Sequence, residues 1–556
     1  MCRGLIFASA AAGAGCASVP DSPRTPYAVP PPASDPAGAP GVEDTPSFLI
    51  ADAGPGMLPA SSRGPRLAPG ALDDGRLGLF AAGEFDLTTG RCTDCGVPPA
   101  ALWWFRDEVI AVPAGAGTDA GPGASARADG AVGGTGDLAA QASAGSGARP
   151  PAVVWLGAPQ RLSGARLSDD AREVRFDGRV LPLELSPPIP TNSAYVDAST
   201  ARFFAGRPVA VRGVETRGPG GPRFIARTIF PEDERIDTAA LREAPLRPNE
   251  LLGTLLEAQT AVRERLLYAR TDPARWAGRP AVAFVLSGAQ GDDDGSRGGH
   301  LAVATGVLGE RGEWDDWLVT NFYPLLEGNA KGIIPASLPM DNYLYDLNSG
   351  QLYYRPGYML VVVLSRPRAA RAVQLALQQT LHALHCGDIE FDRARRNSTA
   401  MTIDSLRELG WRIPTVGPTS RLAGAAAVPV AAIVRRSVRT AASVYATFAA
   451  ERTRLLPRVA FEVAGHDLLQ LAALDARADA DLTPFERMLA EDIEGVLFVR
   501  LAQVPSSRRF GTYPEPSLWA YGAALMSDPG GYEAAPDAED REFPDALRGT
   551  CEGTLP

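Results

Sequence analysis

The chain has 556 residues, a net charge of −11 and an apolar fraction of 45%. That length accommodates two or three domains with sizeable cores, and the acidic balance excludes a general nucleic-acid binder, which needs a basic surface to neutralise phosphates. Glycine and proline, at 58 and 49 residues, crowd into residues 20–75 and 112–150, where they mark linkers.

The amino terminus, MCRGLIFASAAAGAGCASVP, carries one early charge at Arg3, a short apolar-to-small run, and then Cys16. It resembles a bacterial lipoprotein signal peptide, with a plain secretory signal as the alternative. The resemblance implies that residues 1–16 are the signal and that Cys16 carries the lipid. The protein would then be membrane-anchored on the periplasmic face of the bacterial cell envelope. Residues 17–75 form a Pro/Ala/Gly-rich disordered tether that lets folded domains stand off the membrane. No later run reaches the roughly 18 apolar residues of a spanning helix. In RCTDCG, Cys92 and Cys95 form a lone CxxC, and the whole chain has four histidines. A local disulfide in an oxidising compartment is therefore expected in preference to a zinc ribbon.

Residues 76–235 read as a β-rich module split by a disordered insertion at 112–150. LGLFAAGEFDL, ALWWFRDEVIAVP and AVVWLGAPQRL are short runs of β-formers, each followed by turn residues. REVRFDGRVLPLEL follows, and RPVAVRGVETRGPGGPRFIARTIFP predicts a hairpin around GPGG. The pattern is OB-like, though a sandwich reads alike, and it lacks the aromatics on a basic face that single-stranded nucleic acid requires.

The leucine spacing in RPNELLGTLLEAQTAVRERLLYAR predicts a helix over 247–270, opening an α+β domain at 245–415. PAVAFVLSG and HLAVATGVL predict strands on either side of a Gly/Asp-rich loop. WDDWLVTNFYPL and GQLYYRPGYMLVVVLS predict two more strands, and helices follow at 367–386 and 397–409. A helical extension occupies 416–527. Within it, 421–456 reads as a helix interrupted by Pro429, with Arg435, Arg436 and Arg439 nearby. That segment either packs on the domain or lies on a membrane surface. Residues 483–501 read as a further helix, and 528–556 as a disordered tail.

Three short motifs recur in an informative order: GGHLAVATG (298–306), Asn321 in LVTNFYPL, and RRNSTAMTIDSLRELGW (395–411). In that order they resemble the circularly permuted, NlpC-type branch of the papain-like superfamily of bacterial peptidases, amidases and acyltransferases. LPMDNYLYDLNSGQLYYRPGYMLVVVL adds to the likeness, which covers about 280–415. It implies an antiparallel sheet with packed helices, preceded here by the β-rich module. It also implies His300 as general base, Asn321 as its orienting partner, and Ser398 where the family has a nucleophilic cysteine. No cofactor or metal is called for.

A side chain at the first turn of a helix meets free N–H groups and the positive end of the helix dipole, which favour a developing anion. A hydroxyl ionises far less readily than a thiol, so the serine demands better base geometry. Ser398 is equally suited to a structural role at a helix start, His300 to a histidine ending a strand, and Asn321 to cross-strand bonding. Cys386, beside His382 and His385, is a weaker rival for nucleophile or metal ligand. Asp292, Asp293 and Asp294 have the wrong spacing for a calcium loop and read as a solvated turn. The expected activity is amide or ester hydrolysis, or acyl transfer, on a cell-envelope peptide or lipid. The alternatives are an inactive relative that binds cell wall or lipid, and a structural envelope protein.

Overall fold

Strands that are apolar at most positions need cover on both faces, and PAVAFVLS, GYMLVVVL and IEGVLFVRL are such strands, buried along nearly their whole length. The computed structural model describes residues 101–105, 108–112, 154–185, 197–241, 263–289, 298–324, 335–474, 481–505 and 511–520, apart from single or paired positions within these ranges. Cys16, Cys92, Cys95, the 17–75 tether, residues 113–150 of the expected insertion and the 528–556 tail lie outside them, as do residues 247–262.

The chain is α+β. Ten strands form one sheet: β1 (Ala101–Phe105), β2 (Glu108–Val112), β3 (Val154–Gly157), β9 (Arg263–Ala269), β10 (Pro280–Ser287), β11 (His300–Val307), β12 (Leu318–Asn321), β13 (Ala336–Pro339), β14 (Gly357–Leu364) and β15 (Ile493–Leu501). Their order is β1-β2-β3-β13-β12-β11-β10-β14-β15-β9. Only the β3–β13 pairing is parallel. Alternate residues of the central strands serve two cores. Met359, Val361 and Val363 of β14 face one, together with Ala281, Ala283 and Val285 of β10. Leu360, Val362 and Leu364 face the other, together with Val282, Phe284 and Leu286.

The first core is closed by a barrel of β4 (Gln160–Leu167), β5 (Glu173–Phe176), β6 (Arg179–Leu185), β7 (Val209–Gly218) and β8 (Gly221–Pro231), in the order β4-β5-β6-β8-β7. β6 and β8 are parallel, and helix α1 (Ala198–Phe204) lies between β6 and β7 in the chain. The hairpin expected at GPGG is present, with Gly218 opposite Gly221. Helix α2 (Met340–Tyr345), fully buried, ties barrel to sheet. Arg212 Nε of β7 donates to Asp341 Oδ2 at 2.5 Å, and Arg227 Nε of β8 donates to Asp346 Oδ2 at 2.6 Å. The Tyr345 hydroxyl donates to the buried Glu234 carboxylate, and Phe230 meets the Tyr345 ring edge-on at 5.3 Å.

The second core is covered by helices α3 (Arg368–Cys386), α4 (Ser398–Glu408), α8 (Pro457–Ala473) and α9 (Pro484–Asp492). Three more helices, α5 (Arg421–Arg435), α6 (Val438–Ala449) and α7 (Arg452–Leu455), connect α4 to α8. Pro429 does not interrupt α5, which runs through it.

Four expectations need correction. Residues 101–112 and 154–157 belong to the large sheet, not to the barrel module, because β3 finds its partner on β13. Residues 263–269 are strand, since pairing with β15 overrides a helical leucine spacing. Residues 483–501 are a helix followed by a strand: Thr483 and Glu486 cap α9 reciprocally, and β15 begins at once after Asp492. The region 416–527 is therefore not solely a helical extension, for β15 pairs with β14 at the middle of the apolar core.

Candidate active site

His300 is the first residue of β11, opposite Ser287 of β10. The glycine before it is required by geometry. Gly299 has φ +76°, and a Cβ there would lie 2.5 Å from the Ser287 carbonyl oxygen and 2.7 Å from Pro514. Asn321 ends β12, is buried, and accepts a hydrogen bond from His300 Nε2 through Oδ1 at 2.7 Å. That bond fixes the proton on Nε2 and leaves the Nδ1 lone pair free to accept.

Ser398 is the first residue of α4, and its hydroxyl donates to His300 Nδ1 at 3.2 Å. Asn397 caps the helix by accepting from the Ala400 N–H at 2.8 Å, and its Nδ2 donates to the Leu455 carbonyl at 3.1 Å. The cap serves the third helical N–H, so the Ser398 and Thr399 N–H groups have no intrahelical partner and point out of the first turn. Ser398 is 9% exposed, at the end of the sheet. The three residues singled out from the sequence thus converge from two neighbouring strands and one helix.

Tyr343 of α2 places its ring 6.4 Å from the imidazole. Its hydroxyl lies beside that of Ser287, and neither is otherwise hydrogen-bonded although both are shut off from solvent. Burial pushes the Tyr343 hydroxyl well above its ordinary range, so it stays protonated. Burial also lowers His300 from 6.5 to about 4, and the positive charge of Arg355 acts in the same direction, against the Asn321 hydrogen bond. His300 is accordingly a neutral imidazole across the physiological range, able to take a proton from Ser398. A group depressed in the folded state favours folding above its unfolded value. Its contribution should be complete above pH 6.5 and fall away as the pH drops from there towards 4. NMR titration of the imidazole, assigned with His300→Gln, checks this. A midpoint at 6.5 or above contradicts the packing described.

Cys386 ends α3, and its side chain and that of His382 lie outside the described residues. His385 does not lie on a solvated helix face. It is buried, with Nε2 2.6 Å from the Pro335 carbonyl oxygen. Among the described residues no group of His, Cys, Asp or Glu is placed to hold a metal ion, and no helix is long and apolar enough to cross a membrane. Sequence reasoning gave no role to Ser287, Tyr343 or Arg355. The last two lie in the stretch 338–364 that carried part of the family likeness, but only three-dimensional proximity to His300 gives them meaning. No protein-family model, curated protein or solved structure matches this chain.

Proposed function

We propose that the chain is an anchored envelope protein of the permuted, NlpC-type papain-like class that hydrolyses or transfers an acyl group through Ser398. The observation that carries this reading is the relay Ser398 Oγ–His300 Nδ1 at 3.2 Å and His300 Nε2–Asn321 Oδ1 at 2.7 Å. In the first step Ser398 Oγ bonds to the substrate carbonyl carbon while its proton passes to His300 Nδ1. The carbonyl oxygen, now anionic, faces the first-turn N–H groups of α4. Collapse expels the amine or alcohol, which leaves with the proton from His300. Water, or an acceptor nucleophile, then releases the acyl group by the same steps. Tyr343 and the sheet end keep the imidazole dry and fixed.

The five-strand barrel supports an OB-type module: its order is first-second-third-fifth-fourth, with third and fifth parallel and a helix between third and fourth. The proposed anchor is a lipid on Cys16. At high salt, which weakens charge-driven binding to a bilayer, Cys16→Ala should move the protein from the membrane fraction to the soluble one, and unchanged fractionation under that condition would count against the anchor.

A second reading, an inactive binding module, is favoured by the low basicity of His300, since a base near 4 is a poor acceptor for a serine proton. Ser398→Cys separates the two. At a helix start beside His300 the thiol should ionise below its free value and label faster with iodoacetamide than an unfolded thiol, and His300→Gln should slow that labelling. Fast labelling in this variant with no ester or amide turnover by the natural serine selects the binding module. Labelling no faster than an unfolded thiol removes the electrostatic basis of the site altogether.

A further inference from the structure

Arg355 is 5% exposed and stands two residues before β14, whose first residue, Gly357, is opposite Ser287. Ser287 is in turn opposite His300, so Arg355 belongs to the same end of the sheet as the Ser398–His300 pair. The Gly288 N–H, bonded to the Pro356 carbonyl at 2.7 Å, holds the segment there. The Gly511 backbone approaches so closely that a Cβ on it would come within 3.1 Å of Arg355 Cβ. Arg355 Nε donates to the Gln351 carbonyl at 3.1 Å. No carboxylate among the described residues pairs with its guanidinium. A buried arginine without a counter-charge is costly, and such groups are ordinarily paired.

We infer that Arg355 is the binding site for a carboxylate on the substrate, beside the scissile carbonyl that Ser398 attacks. With Nε engaged, the two terminal NH₂ groups form an edge that matches the two oxygens of a carboxylate, and a single positive charge suits a monoanion better than a phosphate dianion. This inference deepens the acyl-transfer reading and rests on it. It also gives the weak base a remedy. The groups facing His300 are Ser398, Asn321, Tyr343 and Arg355, and Arg355 alone among them is charged. A bound carboxylate offsets that charge, so His300 becomes a better base when the right substrate is present.

The test pairs 4-nitrophenyl hemisuccinate with 4-nitrophenyl pentanoate as charged and neutral esters. The natural protein should prefer the charged ester in kcat/KM, and Arg355→Gln should reduce that preference by about 10–100-fold, the scale of a charged hydrogen bond. Arg355→Lys, which keeps the charge without the fork, should fall between. Calorimetry with monomethyl succinate, dimethyl succinate and methyl phosphate needs no turnover. If monomethyl succinate binds and Arg355→Gln abolishes binding while neither ester is hydrolysed, the carboxylate site stands and the catalytic reading falls. Equal binding of the mono- and dimethyl compounds, or tighter binding of methyl phosphate, overturns the carboxylate assignment. So does a charged-ester preference unchanged in Arg355→Gln.

An independent observation concerns α5 and α6. They form an antiparallel pair whose inner face is small: Ala431 and Ala441 are buried between them, and Gly424 lies where a Cβ would meet Phe448 Cβ at 2.9 Å. The large apolar side chains are left outside, with Leu422 85% exposed, Ile433 77% and Val438 81%. Residues 421–450 contain Arg421, Arg435, Arg436 and Arg439 and no acidic residue, in a chain of net charge −11. Arg421, Arg436 and Arg439 are exposed, and Arg436 turns the chain at the tip with φ +49°. An acid-free helical pair with exposed aliphatics and arginines has the make-up of a surface that enters the headgroup region of an anionic bilayer. We propose that the α5–α6 tip docks on such a bilayer.

Sedimentation of the full chain carrying Cys16→Ser tests it without the lipid anchor. The protein should bind vesicles containing phosphatidylglycerol, more weakly as salt rises, and not vesicles of phosphatidylcholine alone. Each of Arg436→Glu and Arg439→Glu should weaken binding at least about fivefold, the worth of one charge near the surface. Ile433→Ser with Val438→Ser should also weaken it, with circular dichroism unchanged. No preference for the anionic vesicles, or loss of monomer with rising concentration through the same side chains, overturns the proposal.

Discussion

Replacing Ser398 with alanine should abolish ester and amide turnover, and replacing His300 with alanine should lower kcat by about 10²–10⁴-fold, the range a positioned base supplies. The asymmetry follows from the geometry. In the proposed reaction Ser398 Oγ is the atom that bonds to substrate carbon, and nothing would replace it. His300, 3.2 Å away, would accept its proton, a function that water performs slowly. Asn321→Ala should cost less than His300→Ala, because it frees the ring orientation and the tautomer while the base remains. The measurement is kcat and kcat/KM on 4-nitrophenyl esters, with covalent labelling by a fluorophosphonate as a second readout. Undiminished hydrolysis by Ser398→Ala would place the chemistry elsewhere and leave Ser398 as a helix-start residue. Labelling of the natural protein that persists in His300→Ala at an unchanged rate would deny the histidine its role as base.

The candidate site was legible because its parts are local. The GGH motif needs a positive-φ glycine before a strand, the Asn-Ser pair needs a capped helix start, and both requirements are written in adjacent residues. What was illegible depends on partners distant in the chain. RERLLYA carries leucines at a spacing a helix would accept, and only the β15 edge makes it a strand. The strand follows the helix directly at Asp492–Ile493, with no connecting turn to signal that helix gives way to strand, so the sequence reading of 483–501 is a single helix. The β1–β3 segment reads as β-structure correctly, yet nothing local distinguishes an edge of the large sheet from a wall of the barrel. Arg355 looks like any arginine before a proline until its burial, and the lack of a carboxylate partner among the described residues, are known. Long-range pairing and burial are the two quantities that a single sequence encodes least.

The same limit applies to the barrel's effect on the site, and it leads to the largest expected change in stability. Arg212 of β7 and Asp341 of α2 are both buried, and the Asp341 side chain is 0% exposed. Arg212→Met leaves the Asp341 carboxylate in the interior with the Asn342 N–H at 2.7 Å as a close donor and the positive charge of Arg161 as a remaining Coulombic partner, and should cost up to about 3–5 kcal/mol. Arg212→Met combined with Asp341→Leu removes both charges and should recover most of that loss, since a buried pair is worth little against an apolar pair of similar volume. Denaturant titration of the three proteins measures the cycle. A single-variant loss below about 1 kcal/mol would mean that water reaches Asp341 and that the barrel is not clamped at this point. The double variant carries a further consequence for chemistry. Asp341 lies two residues before Tyr343, whose ring packs on His300. If the pair serves only stability, turnover by the double variant should match the natural protein. If it also sets the position of α2, turnover should fall while stability is restored, and the barrel would then be acting on the active site through this helix.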